Sequence, residues 1–238
     1  MKLALLLLTP VAVSAATPAA TPQLPGLPKD LSSPMQLIIL MTVLTLLPAI
    51  LMSITPFLRI SIVLHFLRQA IGTQNAPSNQ VLVGMTLFLT LVLIQPLGVR
   101  IFEKAWQPLE RGEITPEQAW TAAANPMKEH LSRYVREKDV KLFLEITHTP
   151  APRNAGDLDL AVLAPAYILS EMRAGFQIGA VMFLPFLLID IVVASVTLSI
   201  GMVQLPPVMV SAPFKVLLFV LVDGWNLTIG SLMKGFAP

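Results

Sequence analysis

Two apolar stretches, residues 178–200 and 208–222, constrain this chain more than any other feature. The first is long enough to cross a bilayer and the second nearly so, yet Asp190 lies inside one and Lys215 inside the other. The loop joining them, Gly201-Met202-Val203-Gln204-Leu205-Pro206-Pro207, carries no charge. In an antiparallel hairpin rising about 1.5 Å per residue, the two ionisable side chains fall within roughly two turns of equal depth, close enough to meet. A charge at the centre of a membrane helix costs about 2.5–3.5 kcal/mol on insertion scales, so such residues sit on protein-facing seams or interior paths. The hairpin is therefore expected to face protein and to hold Asp190 and Lys215 as a buried charge pair.

The composition agrees with a membrane protein. The 238 residues are 55% hydrophobic and 13% charged, with a mean hydropathy of +0.73, whereas soluble domains carry about 25% charged residues. A formal net charge of +2, without any Lys/Arg run, argues against a nucleic-acid partner. The absence of cysteine excludes disulfides, thiolate metal sites and cysteine nucleophiles. Lys2, the apolar residues 3–8 and the small residues Ser14, Ala15 and Ala16 predict a signal peptide over 1–16. Its apolar run is shorter than the ~17 residues an uncleaved anchor would need. Residues 17–34, rich in Pro, Thr and Ala, read as a flexible exported tail.

The expected fold class is all-α, a multi-pass integral membrane protein of broken helical hairpins with a small water-facing helical subdomain. A first hairpin covers 35–99. Ser33-Pro34 supplies a helix start, Pro48 and Pro56 interrupt the first span, Arg59 and Arg68 punctuate the next apolar stretch, and 81–99 forms a second span. Residues 100–159 hold nine Lys/Arg and ten Asp/Glu, most of the charge of the chain, and are expected to form the water-facing subdomain. There Thr115-Pro116-Glu117-Gln118 is a capping-box start, and Asn125-Pro126 predicts a second helix start. Met127, Leu131 and Val135 share one face, and Glu129, Arg133, Glu137 and Lys141 recur every four residues. The second hairpin, 160–238, contains the joining loop. Glu171 and Arg173 interrupt its approach and are expected to pair with each other, and Asp223-Gly224-Trp225 breaks its last helix. Four spans would return the mature chain to the side on which it starts.

The residues give little support to an enzyme. His65, His130 and His148 are scattered, and no zinc-protease, Walker A, nucleophile-elbow or dinucleotide-binding spacing occurs. No catalytic residue, metal ligand or cofactor site is expected. Arg59, Glu171, Arg173 and Asp223 are the remaining intramembrane charges of interest. An alternative reading makes Asp190 and Lys215 the transport site of a proton- or solute-coupled transporter subunit.

Several long stretches point further. Phe57-Leu58-Arg59-Ile60, Phe66-Leu67-Arg68-Gln69-Ala70-Ile71-Gly72-Thr73-Gln74 and Pro77-Ser78-Asn79-Gln80-Val81-Leu82 in the first half, with Leu163-Ala164-Pro165-Ala166-Tyr167, Phe176-Gln177-Ile178-Gly179, Pro185-Phe186-Leu187-Leu188-Ile189-Asp190 and the run from Ala212-Pro213-Phe214-Lys215 to Val222-Asp223-Gly224-Trp225 in the second, resemble the FliP family of flagellar type III export-gate proteins. The likeness runs from about residue 34 to 236. It implies a core subunit of the export gate, forming the channel through which flagellar proteins are secreted, and no enzymatic activity. It also implies a homo-oligomer, pentameric in the family, assembled with FliQ and FliR and attended by FlhB, FlhA and FliO. The implied location is the bacterial inner membrane within the flagellar basal body, with 100–159 facing the periplasm. The family's constriction loop, in which consecutive methionines form a flexible gasket, matches Met202, Val203 and Gln204, with Leu205 beside them. Two of its three methionines are therefore replaced here.

Overall fold

The structure is a computed structural model that describes residues 33–73, 75–150, 152, 157–202, 204 and 206–236. The expected signal peptide, nearly all of the expected tail, and Val203 and Leu205 of the joining loop lie outside these residues. The chain divides into two units, 1–48 and 49–238. The described part of the first is the beginning of helix α1, Ser33–Ser53, an apolar segment with Pro48 inside it.

In the second unit the described residues form helices joined by turns, with no strand among them: α2 Phe57–Ile71, α3 Asn79–Ile101, a π-helical turn Phe102–Trp106, α4 Gln107–Glu110, α5 Pro116–Tyr134, α6 Glu137–Ile146, α7 Leu160–Ser199, α8 Pro207–Leu221 and α9 Gly224–Lys234. Three helical segments are long and apolar enough to cross a membrane, Pro34–Ser53, Asn79–Glu110 and Leu160–Ser199. A fourth arises if α8 and α9, bent by 65° at their junction, count as one broken span. The chain is an all-α integral membrane protein.

Helix α2 sits at the centre because its apolar residues repeat at helical spacing. Ile60, Val63, Leu64, Leu67 and Ile71 form one buried stripe. Gly72 ends the helix in the left-handed conformation, at φ 83°, where a residue with a Cβ would be strained. The stripe packs in a core with Leu82 of α3, Phe186 of α7, Phe219 of α8, and Leu232 and Phe236 at the C-terminal end. Helix α7 approaches α2 closely through a Gly-x-x-x-Gly pair. A Cβ at Gly179 would stand 2.6 Å from the Phe66 ring, and one at Gly175 would stand 3.0 Å from Ile62.

Three readings from sequence are corrected. The helix beginning at Asn79 does not stop at Val99 but continues past Arg100 through the π-helical turn to Glu110. That turn ends two residues before Pro108, which lacks an N–H and whose ring crowds the preceding helical turn. Asn125-Pro126 does not start a second helix. The Thr115 capping box, with Gln118 N–H donating to Oγ1 at 3.3 Å and Thr115 N–H to Gln118 Oε1 at 3.0 Å, starts α5, which carries Pro126 buried in its interior. Its last turns are anchored by Leu131 in a second core, with Val140 and Leu144 of α6 and Val162, Leu163 and Tyr167 of α7. Finally, Glu171 and Arg173 do not interrupt the chain. Helix α7 runs for 40 residues, about 60 Å, through both of them and through Pro165 and Pro185.

Candidate functional site

The polar groups that α7 carries inward divide into three clusters. Near its C-terminal end, Asp190 faces α8. Lys215 Nζ lies 2.6 Å from Asp190 Oδ2, and the Ser211 hydroxyl, one turn before Lys215, donates to Asp190 Oδ1. Lys215 is 2% exposed. Its charge is therefore met within the chain by a carboxylate, and both carboxylate oxygens are engaged.

In the first third of α7, Glu171 is fully buried and pairs with Arg59 of α2. Arg59 Nε donates to Glu171 Oε2 at 2.8 Å, and Nη2 donates to Oε1, in a bidentate fork. The guanidinium also lies over the Phe236 ring, 4.1 Å from its centroid, with the Tyr134 ring at 5.8 Å. Glu171 and Arg173, two residues apart, project to different sides of α7 and do not pair with each other. Arg173 instead reaches Asp139 of α6, with Nη2 to Oδ1 at 3.2 Å.

Asp139 belongs to the third cluster, where α6 is tied to α7. It is 2% exposed, and its Oδ2 accepts from the Ser170 hydroxyl at 2.7 Å. Ser170 in turn accepts from the Arg136 backbone N–H at 3.0 Å, and the Arg136 side chain donates to Gln177 at 2.6 Å. Sequence reasoning assigned no role to Asp139, Ser170 or Tyr134. One signal was available for Glu171: it lies four residues after Tyr167 and four before Gly175, on the face of α7 that packs inward.

The joining loop begins with a Schellman turn. Gly201, at φ 82°, donates to Leu198 at 3.0 Å, and Met202 N–H donates to Thr197 at 3.0 Å, closing the end of α7. The structure places Met202 and Gln204 at the surface. Asp223, between α8 and α9, has φ 50°, and its carboxylate accepts from the Asn226 side chain at 3.2 Å.

Outside the spanning helices, burial lowers the pKa of His130, helped by the nearby positive charges of Arg133 and Arg100. Arg100 pairs with Glu129 and, through its hydrogen bond and charge, lowers that carboxyl below its usual value. Among the described residues no group of three or more His, Asp or Glu side chains is placed to hold a metal ion.

The comparisons with known proteins bear on the chain that carries these pairs. The model of the FliP family matches residues 40–232. The chain belongs to the FliP family. It is 46% identical over 209 residues to the flagellar biosynthetic protein FliP of Bacillus subtilis (strain 168), covering 88% of this chain and 95% of that one. To the FliP of Pectobacterium carotovorum subsp. carotovorum it is 46% identical over 201 residues, 84% of this chain and 78% of that one. To the FliP of Caulobacter vibrioides it is 44% identical over 201 residues, 84% and 76% of the two chains. The matched span contains all three polar clusters and the joining loop. These matches do not support the transporter reading of Asp190 and Lys215.

Proposed function

We infer that this chain works in flagellar biosynthesis as a component of the type III protein-export apparatus, where it forms part of the channel. The observation that carries this reading is the FliP-family match, which extends across residues 40–232 rather than over a single motif. The internal charges support a structural role. Asp190 and Lys215, and Arg59 and Glu171, neutralise each other in place, as expected of helices that pack permanently on protein and not of a site that releases a solute.

The finer reading rests on what the family implies. The chain assembles as a homo-oligomer with FliQ and FliR, in contact with FlhB and FlhA and helped by FliO, in the inner membrane at the flagellar basal body. It passes flagellar proteins and carries no catalytic machinery of its own. Residues 1–16 act as a signal peptide and 17–34 as an exported tail. Two helical hairpins, the first closed by the helix that runs from Asn79 to Glu110 and the second over 160–238, flank the charged helices, which face the periplasm. The loop of Met202, Val203, Gln204 and Leu205 forms the constriction, and copies of it converge to close the channel by excluding water.

Deleting the gene and restoring it on a plasmid tests the export reading. Export of flagellar proteins to the medium and motility should both disappear and return together, and the tagged chain should co-purify with FliQ and FliR. Normal secretion in the deletion strain would refute the export role. Glycine at Met202, Val203 and Leu205 tests the constriction, because it should raise ion leak through assembled complexes, and unchanged leak would place the seal elsewhere.

A further inference from the structure

Helix α9 is attached differently at its two ends. At its start, Asp223 occupies the left-handed region, one of the few non-glycine residue types that adopt it readily, and the chain bends by 65° from α8 into α9. Gly224 comes next because there is no room for more, since a Cβ there would stand 2.2 Å from the Phe219 ring. Trp225 packs edge-on against the same ring, with centroids 5.3 Å apart. The bend is thus set by local packing and needs nothing from the rest of α9.

The far end is held over a distance. Phe236, just beyond α9, is 5% exposed and lies against the Arg59 guanidinium on α2. Its carbonyl accepts from the Tyr134 hydroxyl at 2.9 Å, and the Tyr134 and Phe236 rings meet edge-on with centroids 5.6 Å apart. Tyr134 is the last residue of α5, and Arg59 is the residue that neutralises Glu171 of α7. The final turn of the chain therefore covers a buried ion pair formed by two other helices and is held there by a third. Between the two attachments, α9 forms one wall of a mostly apolar groove of about 630 Å³, with Leu227, Thr228 and Ser231 opposite Ile178, Met182 and Phe186 of α7.

We propose that α9 is a strap, hinged at Asp223 and latched by Phe236 onto Arg59 and Tyr134. Closed, it shields the Arg59–Glu171 pair and one side of α7. Open, it pivots about the bend at Asp223 without disturbing α8, and the apolar stripe of α7 becomes accessible. Beyond the packing of Leu232 and Phe236 in the core around α2, the latch consists of one cation–ring contact, one ring–ring contact and one neutral hydrogen bond, each modest by itself.

The natural absence of cysteine allows a direct test in the full-length chain in native membranes. Thr228, buried on the groove side of α9, is replaced by cysteine, and its reaction rate with a small uncharged maleimide is followed. The T228C chain should react slowly. Adding Phe236→Ala should raise the rate about tenfold. Adding Tyr134→Phe, which deletes one hydrogen bond and leaves the rings in place, should raise it about threefold. Val162→Cys, in the second core, should stay unreactive in both backgrounds. Unchanged T228C rates in both latch variants would overturn the proposal. So would a parallel rise at V162C, which would mark Phe236 as a general packing residue and not a latch.

Discussion

The Arg59–Glu171 pair offers the sharpest quantitative prediction. Glu171 is fully buried and Arg59 nearly so, with the guanidinium fork engaging both carboxylate oxygens and Phe236 covering the open face. Removing one member of such a pair leaves the other buried and uncompensated, which costs about 3–5 kcal/mol. At about 1.4 kcal/mol per tenfold, that is a loss of between about 140-fold and about 4,000-fold in the ratio of folded to unfolded protein. Glu171→Gln retains the shape and an acceptor for one guanidinium N–H, so it should fall near 3 kcal/mol. Arg59→Met strands a carboxylate without a donor and also removes the cation beneath Phe236, so it should fall near 5 kcal/mol. The double variant Arg59→Met with Glu171→Leu replaces the pair by apolar groups of similar volume and should lie within about 2 kcal/mol of the unaltered protein. Equilibrium denaturation in detergent, followed by tryptophan fluorescence, reads these differences, and Trp225 reports from its contact with Phe219. If Glu171→Gln cost less than about 1 kcal/mol, or if the double variant lost as much as the two single changes added together, the pair would not be the buried, mutually dependent unit described above.

Three further outcomes are expected. Asp190→Lys or Lys215→Asp alone should impair membrane assembly, while the charge-reversed double variant should recover more of it, measured by accumulation of oligomer on native gels; equal failure of all three would refute dependence on the pair. Gly179→Val should drive a side chain into Phe66 and destabilise the α2–α7 contact by about 1–3 kcal/mol, and Phe66→Ala in the same chain should return part of the loss; an additive double variant would show the clash is not the cause. His130 has a lowered pKa, so the folded protein binds fewer protons than the unfolded chain just below the ordinary value of 6.5. Stability should therefore fall as pH drops from 7 through that value, and His130→Asn should flatten this part of the profile measured by thermal denaturation; an unchanged slope would assign the acid sensitivity to other groups.

Features specified by neighbouring residues could be read from the sequence. The Thr115–Gln118 capping box and the break at Asp223 both depend on contacts within a few residues, where spacing alone determines the geometry. Asp190 and Lys215 also fell within reach, because a short uncharged loop fixes the register of the two helices that carry them. Glu171 was different. Its partner lies 112 residues away in sequence, so the nearer Arg173 invited the wrong pairing. Asp139 looked like one charge among many in a polar segment, and only the folded chain places Ser170 and Arg173 around it. Once those partners exist, Glu171 and Arg173 cease to be interruptions, which is why α7 continues where the sequence suggested a boundary.

The length of α7 has a consequence for how the chain meets the lipid. A hydrocarbon core is about 30 Å thick, and membrane helices tilt by at most about 40°. A 40-residue helix of about 60 Å would need a tilt near 60° to remain inside it. At 40° it still rises about 46 Å, leaving about 16 Å along the bilayer normal, or some fourteen residues, with no hydrocarbon around them. The turns from Ser170 to Gln177, with their glutamate, arginine and bonded glutamine, are the part of α7 least suited to acyl chains. The mismatch therefore costs least at a depth where the charged turns stand clear of the lipid tails and residues beyond Ile178 lie among those tails or against neighbouring apolar helices.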